Sequence, residues 1–220
     1  MRRIVCLHTI DGNVDVFEAA LTKTGFRDVA LSHAVRPDLL AGAERAGHLT
    51  AEIRAETAAI LRGLCAGADA VLLTCSTLGP AVEEAGRDAP VPVMRVDAAL
   101  AAEAVAGGGR IAVLCAVETT LEPTRVLFEA AARGTGAEIA MHLVPGAWAA
   151  LKAGDRDLYL ATVADAVRDA RRAGAARVAL AQASMASAGE RLAPEERPLD
   201  SPRSGLAAAV AAAVAAMGGA

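Results

Sequence analysis

Short apolar runs alternate along this chain with longer segments whose apolar residues recur at helical spacing. The apolar runs predict strands, and the segments between them predict helices. Strands that alternate with helices in this way form an α/β fold with mainly parallel sheets and right-handed crossovers. The predicted strands lie at residues 3–10, 28–35, 70–75, 91–96, 111–117, 137–144 and 177–181.

Glycine, proline and threonine mark the ends of several predicted helices. The helix over 14–24 ends at Gly25, and Thr50 is placed to cap the start of a long helix over 49–67. A helical stretch that is broken near Gly154-Asp155 reaches residue 173. Further helices are predicted from residue 37, over 80–88 and over 98–106. Another has Glu122-Pro123 in its first turn and ends near residue 133, and the last covers the alanine-rich end 206–220.

The stretch 70–80 carries the strongest indication of chemistry. Its run Ala-Val-Leu-Leu is typical of a strand buried on both faces, and it stops abruptly at Thr-Cys-Ser-Thr (74–77). Gly79-Pro80 then turns the chain into a helix. Open parallel sheets bind ligands where strands end, and the N–H groups at a helix start favour anions. We therefore expect an anion site here, and a helix field that lowers the pKa of the Cys75 thiol.

The two halves of the chain resemble each other. Residues 73–78 align with residues 180–185, each set following a buried strand, and this alignment matches Cys75 with Gln182. The repeat predicts two similar Rossmann-like α/β/α lobes, at residues 1–97 and 98–200, whose strand ends surround one cleft. We expect the terminal helix, residues 201–220, to pack back on the N-terminal lobe.

Composition narrows the class of function. The chain is 54% hydrophobic, 2% aromatic and carries a net charge of −4, so we expect neither a nucleic-acid nor a membrane partner. Four cysteines without CxxC spacing, and no signal-peptide pattern, predict a cytoplasmic protein with reduced thiols. The sequence contains neither HExxH nor a recognisable Cys/His ligand pattern, so we expect no metal site.

Four motifs, in their order and spacing, resemble the aspartate/glutamate/hydantoin racemase superfamily over nearly the whole chain. They are Leu-Thr-Cys-Ser-Thr (73–77), Ile-Ala-Val-Leu (111–114) with Thr-Thr-Leu-Glu-Pro-Thr (119–124), Leu-Ala-Gln-Ala-Ser-Met (180–185), and Ser-Pro-Arg-Ser-Gly (201–205). The resemblance implies two pseudo-twofold-related lobes with an active-site cleft between them. It also implies a small carboxylate substrate and no cofactor, and it is compatible with a homodimer.

The resemblance further implies roles for individual residues. In the family's racemases one cysteine removes a proton from the substrate's acidic carbon, and a second cysteine returns a proton to the opposite face. Cys75 matches the first cysteine and is the expected acid/base. Ser76, Thr77, Thr119 and Thr120 match the positions that would hold the substrate's carboxylate. Their places after predicted strands make His8, Gln182 and Ser184 further expected substrate-binding residues, with a structural role as the alternative for Gln182.

Several of these side chains also have structural alternatives. Ser184, Thr119 and Thr120 are placed to cap the helices that follow them, and His8 to orient Cys75 or to bond with nearby backbone. Cys115 lies inside an apolar run, where we expect it to be a core residue.

The matching position for the second cysteine is Gln182, and an amide does not transfer protons at a useful pKa. Our leading hypothesis is a cofactor-independent racemase or isomerase-type enzyme that acts on a small carboxylic acid by proton transfer at Cys75. The alternatives are a single-cysteine decarboxylase or maleate-type cis–trans isomerase, and a catalytically inactive protein that binds a small acid.

Overall fold

The computed structural model describes residues 1–218, apart from the side chain of Met217. Gly219 and Ala220, at the end of the predicted terminal helix, lie outside the described residues. The strands of the described chain are β1 (Arg2–His8), β2 (Val29–Val35), β3 (Ala70–Leu73), β4 (Val93–Arg95), β5 (Gly109–Cys115), β6 (Ala137–Leu143), β7 (Arg177–Leu180) and β8 (Leu199–Asp200). The α-helices are α1 (Asn13–Thr24), α2 (Pro37–Ala46), α3 (Ala51–Leu64), α4 (Ala81–Gly86), α5 (Val96–Val105), α6 (Leu121–Ala132), α7 (Ala147–Lys152), α8 (Arg156–Arg172) and α9 (Ser201–Gly218).

The first sheet is parallel throughout and has the strand order β2-β1-β3-β4. Residues 4–7 of β1 and all of β3 are buried. A central strand of a parallel sheet is covered on both faces, so both sets of its alternating side chains must be apolar. This requirement explains why the two strands appear in the sequence as unbroken apolar runs.

The second sheet is also parallel and has the equivalent order, β6-β5-β7-β8. Ile111, Val113 and Cys115 belong to a buried cluster that includes residues of α5 and α6. The alternating residues 112, 114 and 116 belong to another cluster, which includes residues of α7 and α8. Apolar clusters on both faces make this a three-layer α/β/α arrangement. The predictions of an α/β fold with two similar sheets, and of Cys115 as a core residue, are confirmed.

The chain divides into two compact units. Unit 1 comprises residues 1–99 together with the closing helix from Pro202, and unit 2 comprises residues 100–201. The division falls inside α5, because its residues Leu100, Ala101 and Ala104 belong to a buried cluster of unit 2. Helix α9 follows the last strand of the second sheet but belongs to unit 1.

Helix boundaries agree in part with the sequence signals. Thr50 caps α3 by accepting a hydrogen bond from the Ile53 N–H at 3.3 Å, and α7 and α8 are separated near Gly154, so both predictions are confirmed. Helix α4 is shorter than predicted, since it begins at Ala81 and spans six residues. None of the helices in the described part of the chain has the length and apolarity that a membrane crossing requires.

The segment before α9 is more ordered than the polar connection predicted from the sequence. It contains 3₁₀ helices at Ala183–Arg191 and Pro194–Glu196, followed by β8. Strand β8 pairs with Ala179 and Leu180 of β7. A pairing of two residues is too short to produce an alternating pattern, so the sequence does not reveal this strand.

Candidate active site

Cys75 lies just beyond the carboxyl end of β3, in a sequence of tight turns. The N–H of Thr74 donates to the Leu7 carbonyl at 3.0 Å, so the pairing with β1 continues to the residue before Cys75. The Leu78 N–H donates to the Cys75 carbonyl at 3.2 Å and turns the chain toward α4. Cys75 is 8% exposed, and residues 76–79 after it are also buried. The thiol and the hydroxyls that follow it therefore occupy one compact turn.

Burial raises the pKa of the Cys75 thiol above its ordinary value of 9.0, so the lowered pKa predicted from the sequence is wrong. Hydrogen bonds from the side chains of Thr9 and Thr77, and from the backbone at Thr77 and Leu78, act in the opposite direction but do not offset the lost solvation. The predicted helix field is weak because α4 begins only at Ala81 and is a short helix. At neutral pH the sulfur is a thiol, with hydrogen-bond donors already placed for a thiolate.

His8 is buried, and both of its ring nitrogens are hydrogen-bonded within unit 1. Nδ1 lies 2.8 Å from the Thr74 hydroxyl oxygen, and Nε2 lies 2.8 Å from Nδ1 of His33. Burial, followed by the neighbouring His33, lowers the pKa of His8 to about 3. His8 is therefore neutral, and it orients Thr74, the residue that precedes Cys75.

Gln182 has the same position in the second sheet that Cys75 has in the first. Cys75 lies two residues beyond the last β3 residue paired with β1, and Gln182 lies two residues beyond the last β7 residue paired with β5. The Gln182 side-chain oxygen accepts a hydrogen bond from the Ala116 N–H, and its amide nitrogen donates to the Thr120 hydroxyl at 3.0 Å. The side chain therefore joins the end of β5 to the start of α6, and an amide transfers no proton there.

The remaining predicted ligands of unit 2 have local partners. The Thr120 hydroxyl donates to the Val117 carbonyl and does not cap α6. The Ser184 hydroxyl is buried 2.7 Å from the Tyr159 hydroxyl, inside a 3₁₀ helix rather than at its cap. Thr119 is half-buried in the 3₁₀ turn that precedes α6. The structure thus brings Thr120 to Gln182 and places Ser184 against Tyr159.

Sequence reasoning did not select Thr9 or Tyr159 as site residues. Thr9 forms a hydrogen bond with Cys75, and Tyr159 holds Ser184. The register between β1 and β3 brings Thr9 next to Cys75, but the sequence does not show that these strands are neighbours. No motif surrounds Tyr159, whose side chain is fully buried in α8.

Unit 1 also contains a group of potential metal ligands that the sequence spacing did not predict. One ligand atom from each of Cys6, His8 and His33 lies within 4.8 Å of the other two. His33 comes from a different strand, so only the fold brings it to the Cys-Leu-His sequence of β1.

A family model and several known structures match the chain over nearly its whole length. The Asp/Glu/Hydantoin racemase family model matches residues 16–216. A comparison with curated proteins gives no match.

The most informative structural matches are racemases. Allantoin racemase from Klebsiella pneumoniae has a TM-score of 0.71 at 16% identity, with 99% of this chain and 89% of that chain covered. Picrophilus torridus aspartate racemase has a TM-score of 0.71 at 12% identity, with 100% and 94% covered. Glutamate racemase from Bacillus anthracis has a TM-score of 0.66 at 15% identity, with 96% and 81% covered. At these identities the similarity shows a shared fold.

Proposed function

The chain belongs to the Asp/Glu/hydantoin racemase family, and from this we propose that it is a cofactor-independent isomerase-type enzyme acting on a small carboxylic acid. Cys75 is the proposed acid/base. Its thiolate would take the proton from the carbon next to the substrate's carboxylate, and its thiol would return a proton to that carbon. The observation that carries the proposal is the position of Cys75, buried in the turn that follows β3, with the side chains of Thr9 and Thr77 bonded to its sulfur.

Those hydrogen bonds suit a sulfur whose charge appears only during the reaction. Donors that already point at the sulfur stabilise a thiolate without further reorganisation. Cys65, also in unit 1, provides a contrast: its thiol donates to the Leu61 carbonyl at 3.4 Å, and burial alone raises its pKa. Hydrogen bonds from Thr9 and Thr77 thus distinguish Cys75 from a cysteine that only packs.

Hydroxyl groups are the proposed holders of the substrate's carboxylate. Ser76 and Thr77 directly follow the thiol in unit 1, and Thr119 follows β5 in unit 2. Positions 8, 120, 182 and 184 carry the other predicted substrate ligands, and these four, like Thr77 at the Cys75 sulfur, have hydrogen bonds inside the protein. A substrate bound by any of these four would add to those hydrogen bonds or replace one of them.

The internal hydrogen bonds of Gln182 favour a second candidate function. A carboxamide at that position supplies no second acid or base, so proton transfer by Cys75 would serve one face of the substrate. A decarboxylase needs only one protonation of a carbanion, and a maleate-type cis–trans isomerase needs only one nucleophile. Either activity could therefore use Cys75 alone.

Hydrogen exchange in deuterium oxide tests the role of Cys75. The candidate substrates are aspartate, glutamate, hydantoins and malonate-type acids. We expect the enzyme to exchange the α-hydrogen of one of them with solvent deuterium, which NMR measures. Cys75→Ala should lower the exchange rate by about 10²–10⁴-fold, the usual contribution of a positioned acid/base. Cys65→Ala is the matched control, because it removes another buried thiol of unit 1 and should leave exchange unchanged. Exchange that survives in Cys75→Ala would contradict the proposal.

Product analysis separates the candidate functions. Inverted configuration identifies a racemase, released carbon dioxide a decarboxylase, and fumarate formed from maleate a cis–trans isomerase. An acid that raises the melting temperature without turnover or exchange would instead identify a binding protein. The cytoplasmic location and the homodimer stay predictions.

A further inference from the structure

Three potential metal ligands meet on one face of the first sheet. Cys6 and His8 are two residues apart on β1, so their side chains lie on the same face of the sheet, and the register pairs Cys6 with His33 of β2. Helix α1 covers this face, since the Phe17 ring lies 5.2 Å from the His8 ring and Glu18 bonds to His33. Cys6 and His8 are fully buried, whereas the His33 side chain is 14% exposed.

Hydrogen bonds orient both imidazole rings for a shared ligand. The Thr74 hydroxyl donates to the Leu7 carbonyl at 3.1 Å, so it accepts from His8 Nδ1–H at 2.8 Å. The Glu18 carboxylate accepts from His33 Nε2–H at 3.1 Å. The remaining nitrogens, His8 Nε2 and His33 Nδ1, then face each other at 2.8 Å. Metal-binding histidines are typically held in this way, by an acceptor on the ring nitrogen that does not bind the metal.

We propose that Cys6, His8 and His33 form a binding site for a thiophilic divalent cation of the zinc class. The ligands would be Cys6 Sγ, His8 Nε2 and His33 Nδ1. A thiolate with two imidazoles is a donor set that zinc prefers, and three protein ligands leave a fourth position for water. Bonds of about 2.0–2.3 Å place the ligands of a tetrahedral ion roughly 3–4 Å apart. One ligand atom of each residue lies within 4.8 Å of the other two, so the sulfur has to approach slightly, whereas the two nitrogens, now 2.8 Å apart, have to separate by roughly half an ångström.

Binding releases protons to solvent. Cys6 binds as a thiolate and each histidine binds through an unprotonated ring nitrogen, so the Cys6 thiol proton and any proton held between the two rings leave. The Cys6 thiolate and the Glu18 carboxylate, which is bonded to His33, then balance the two positive charges. No redox change and no other reactant are needed.

The proposed ion lies next to the candidate active site but does not include its sulfur. His8 keeps its Nδ1–H bond to Thr74 when Nε2 binds the ion, so the residue before Cys75 stays oriented. A cation that binds the folded state and not the unfolded chain raises the free energy of unfolding by RT ln(1 + c/Kd), where c is the concentration of free cation. We therefore expect the ion to stabilise unit 1, where all three ligands lie.

Titration of the full-length protein with Co²⁺ and Zn²⁺ tests the site. We expect one Co²⁺ per chain, a thiolate-to-cobalt charge-transfer absorption, displacement by Zn²⁺, and a higher melting temperature in Zn²⁺. Cys6→Ser should abolish the charge-transfer absorption, and His33→Gln should weaken cobalt binding at least tenfold. His33 is partly exposed, so His33→Gln tests the site even if Cys6→Ser does not fold.

Matched variants test two other thiols and one other histidine. Cys65→Ser removes another buried thiol of unit 1, and His48→Gln removes an exposed histidine whose Nδ1 contacts the Ala46 carbonyl. Both variants, and Cys75→Ser, should bind Co²⁺ like the wild type. The proposal is overturned if wild type binds no cobalt, if the absorption persists in Cys6→Ser, or if Cys75→Ser removes it. A zinc-dependent melting shift that is as large in His33→Gln as in the wild type also overturns it.

Discussion

Burial controls proton affinity at two of the residues on which the site depends. Cys75 has several hydrogen bonds that favour its thiolate, yet loss of solvation keeps its pKa above the ordinary value. Tyr159 behaves in the same way, because burial raises its pKa from 10.0 to about 12 against the opposing effect of Ser184. In both cases the environment made by the fold decides the protonation state at neutral pH.

We predict that above pH 10 the free energy of unfolding falls less steeply with rising pH in Tyr159→Phe than in the wild type. The folded-state pKa of Tyr159, about 12, lies above the unfolded value, so its stabilising contribution is complete below pH 10 and is lost as the pH rises toward 12. The full loss is about 3 kcal/mol in the free energy of unfolding. At pH 7 the variant should be less stable by about 1 kcal/mol, because it loses the hydrogen bond to Ser184. Urea unfolding between pH 7 and pH 11 measures the effect at neutral pH and about half of the alkaline loss, since pH 11 lies midway between the two pKa values.

Other titrating groups affect the wild type and the Phe variant equally, so the difference between their curves isolates Tyr159. Tyr159 is also the only tyrosine of the sequence, so its titration can be followed directly by ultraviolet absorbance. Parallel stability curves for the two proteins, or a tyrosine that titrates near pH 10 in the folded protein, would show the argument to be wrong.

At the scale of elements, a charged pair fixes the turn between Cys75 and α4. Arg95, at the end of β4, binds Asp97 through two hydrogen bonds of 2.6 and 2.7 Å, and Asp97 is fully buried. The guanidinium lies against Gly79, where an added Cβ would overlap it and come within 2.8 Å of Nε. A side chain at position 79 would therefore have to displace the Arg95 guanidinium from the space that it occupies.

We predict that Gly79→Ala destabilises the protein by about 2–4 kcal/mol. The new methyl group would displace Arg95 and leave the buried Asp97 carboxylate with a weakened partner, and breaking a buried pair costs about 3–5 kcal/mol when it is complete. Gly63→Ala is the control, since this exposed helix position of α3 has open space around it and should become more stable by about 0.5–1 kcal/mol. Urea unfolding of both variants measures the difference. Equal stabilities would mean that Arg95 moves without cost.

The sequence pattern predicted the secondary-structure elements better than it predicted which elements lie next to each other in the fold. The continuous apolar runs of β1, β3, β5 and β7 were sufficient to predict strands. The structure shows that these four are the central strands of the two sheets, where burial on both faces favours apolar residues. The order of the strands is a long-range property, so neither the Thr9–Cys75 hydrogen bond nor the approach of His33 to Cys6 was predictable. The pKa of Cys75 was predicted with the wrong sign because the sequence indicates a helix start but not the depth of burial.

At the scale of the molecule, the two sheets have the same strand order but different chemistry at their equivalent strand ends. Cys75 follows β3 and Gln182 follows β7 at the same distance from the last paired residue. Thr9 bonds to the Cys75 sulfur, whereas the Ala116 N–H bonds to the Gln182 carboxamide. The first sheet thus carries a group able to transfer a proton, and the second carries an amide held by hydrogen bonds.

This difference predicts that the wild type exchanges the α-hydrogen of its substrate faster than it racemises the substrate. In the proposed function Cys75 returns a proton to the face from which it took one, so exchange does not require inversion. In the family's two-cysteine chemistry the second thiol serves the opposite face. Gln182→Cys should therefore raise the ratio of racemisation to exchange by at least tenfold, measured by chiral chromatography and NMR on the same sample.

The substitution also removes the carboxamide that accepts from Ala116 and donates to Thr120, at a cost of about 1–3 kcal/mol in stability. Gln182→Ser is the matched control, because it loses the same hydrogen bonds without gaining a thiol and should not raise the ratio. A ratio that rises equally in both variants would assign the effect to loosening of this strand end. Racemisation as fast as exchange in the wild type would mean that a proton donor other than a second cysteine serves the opposite face.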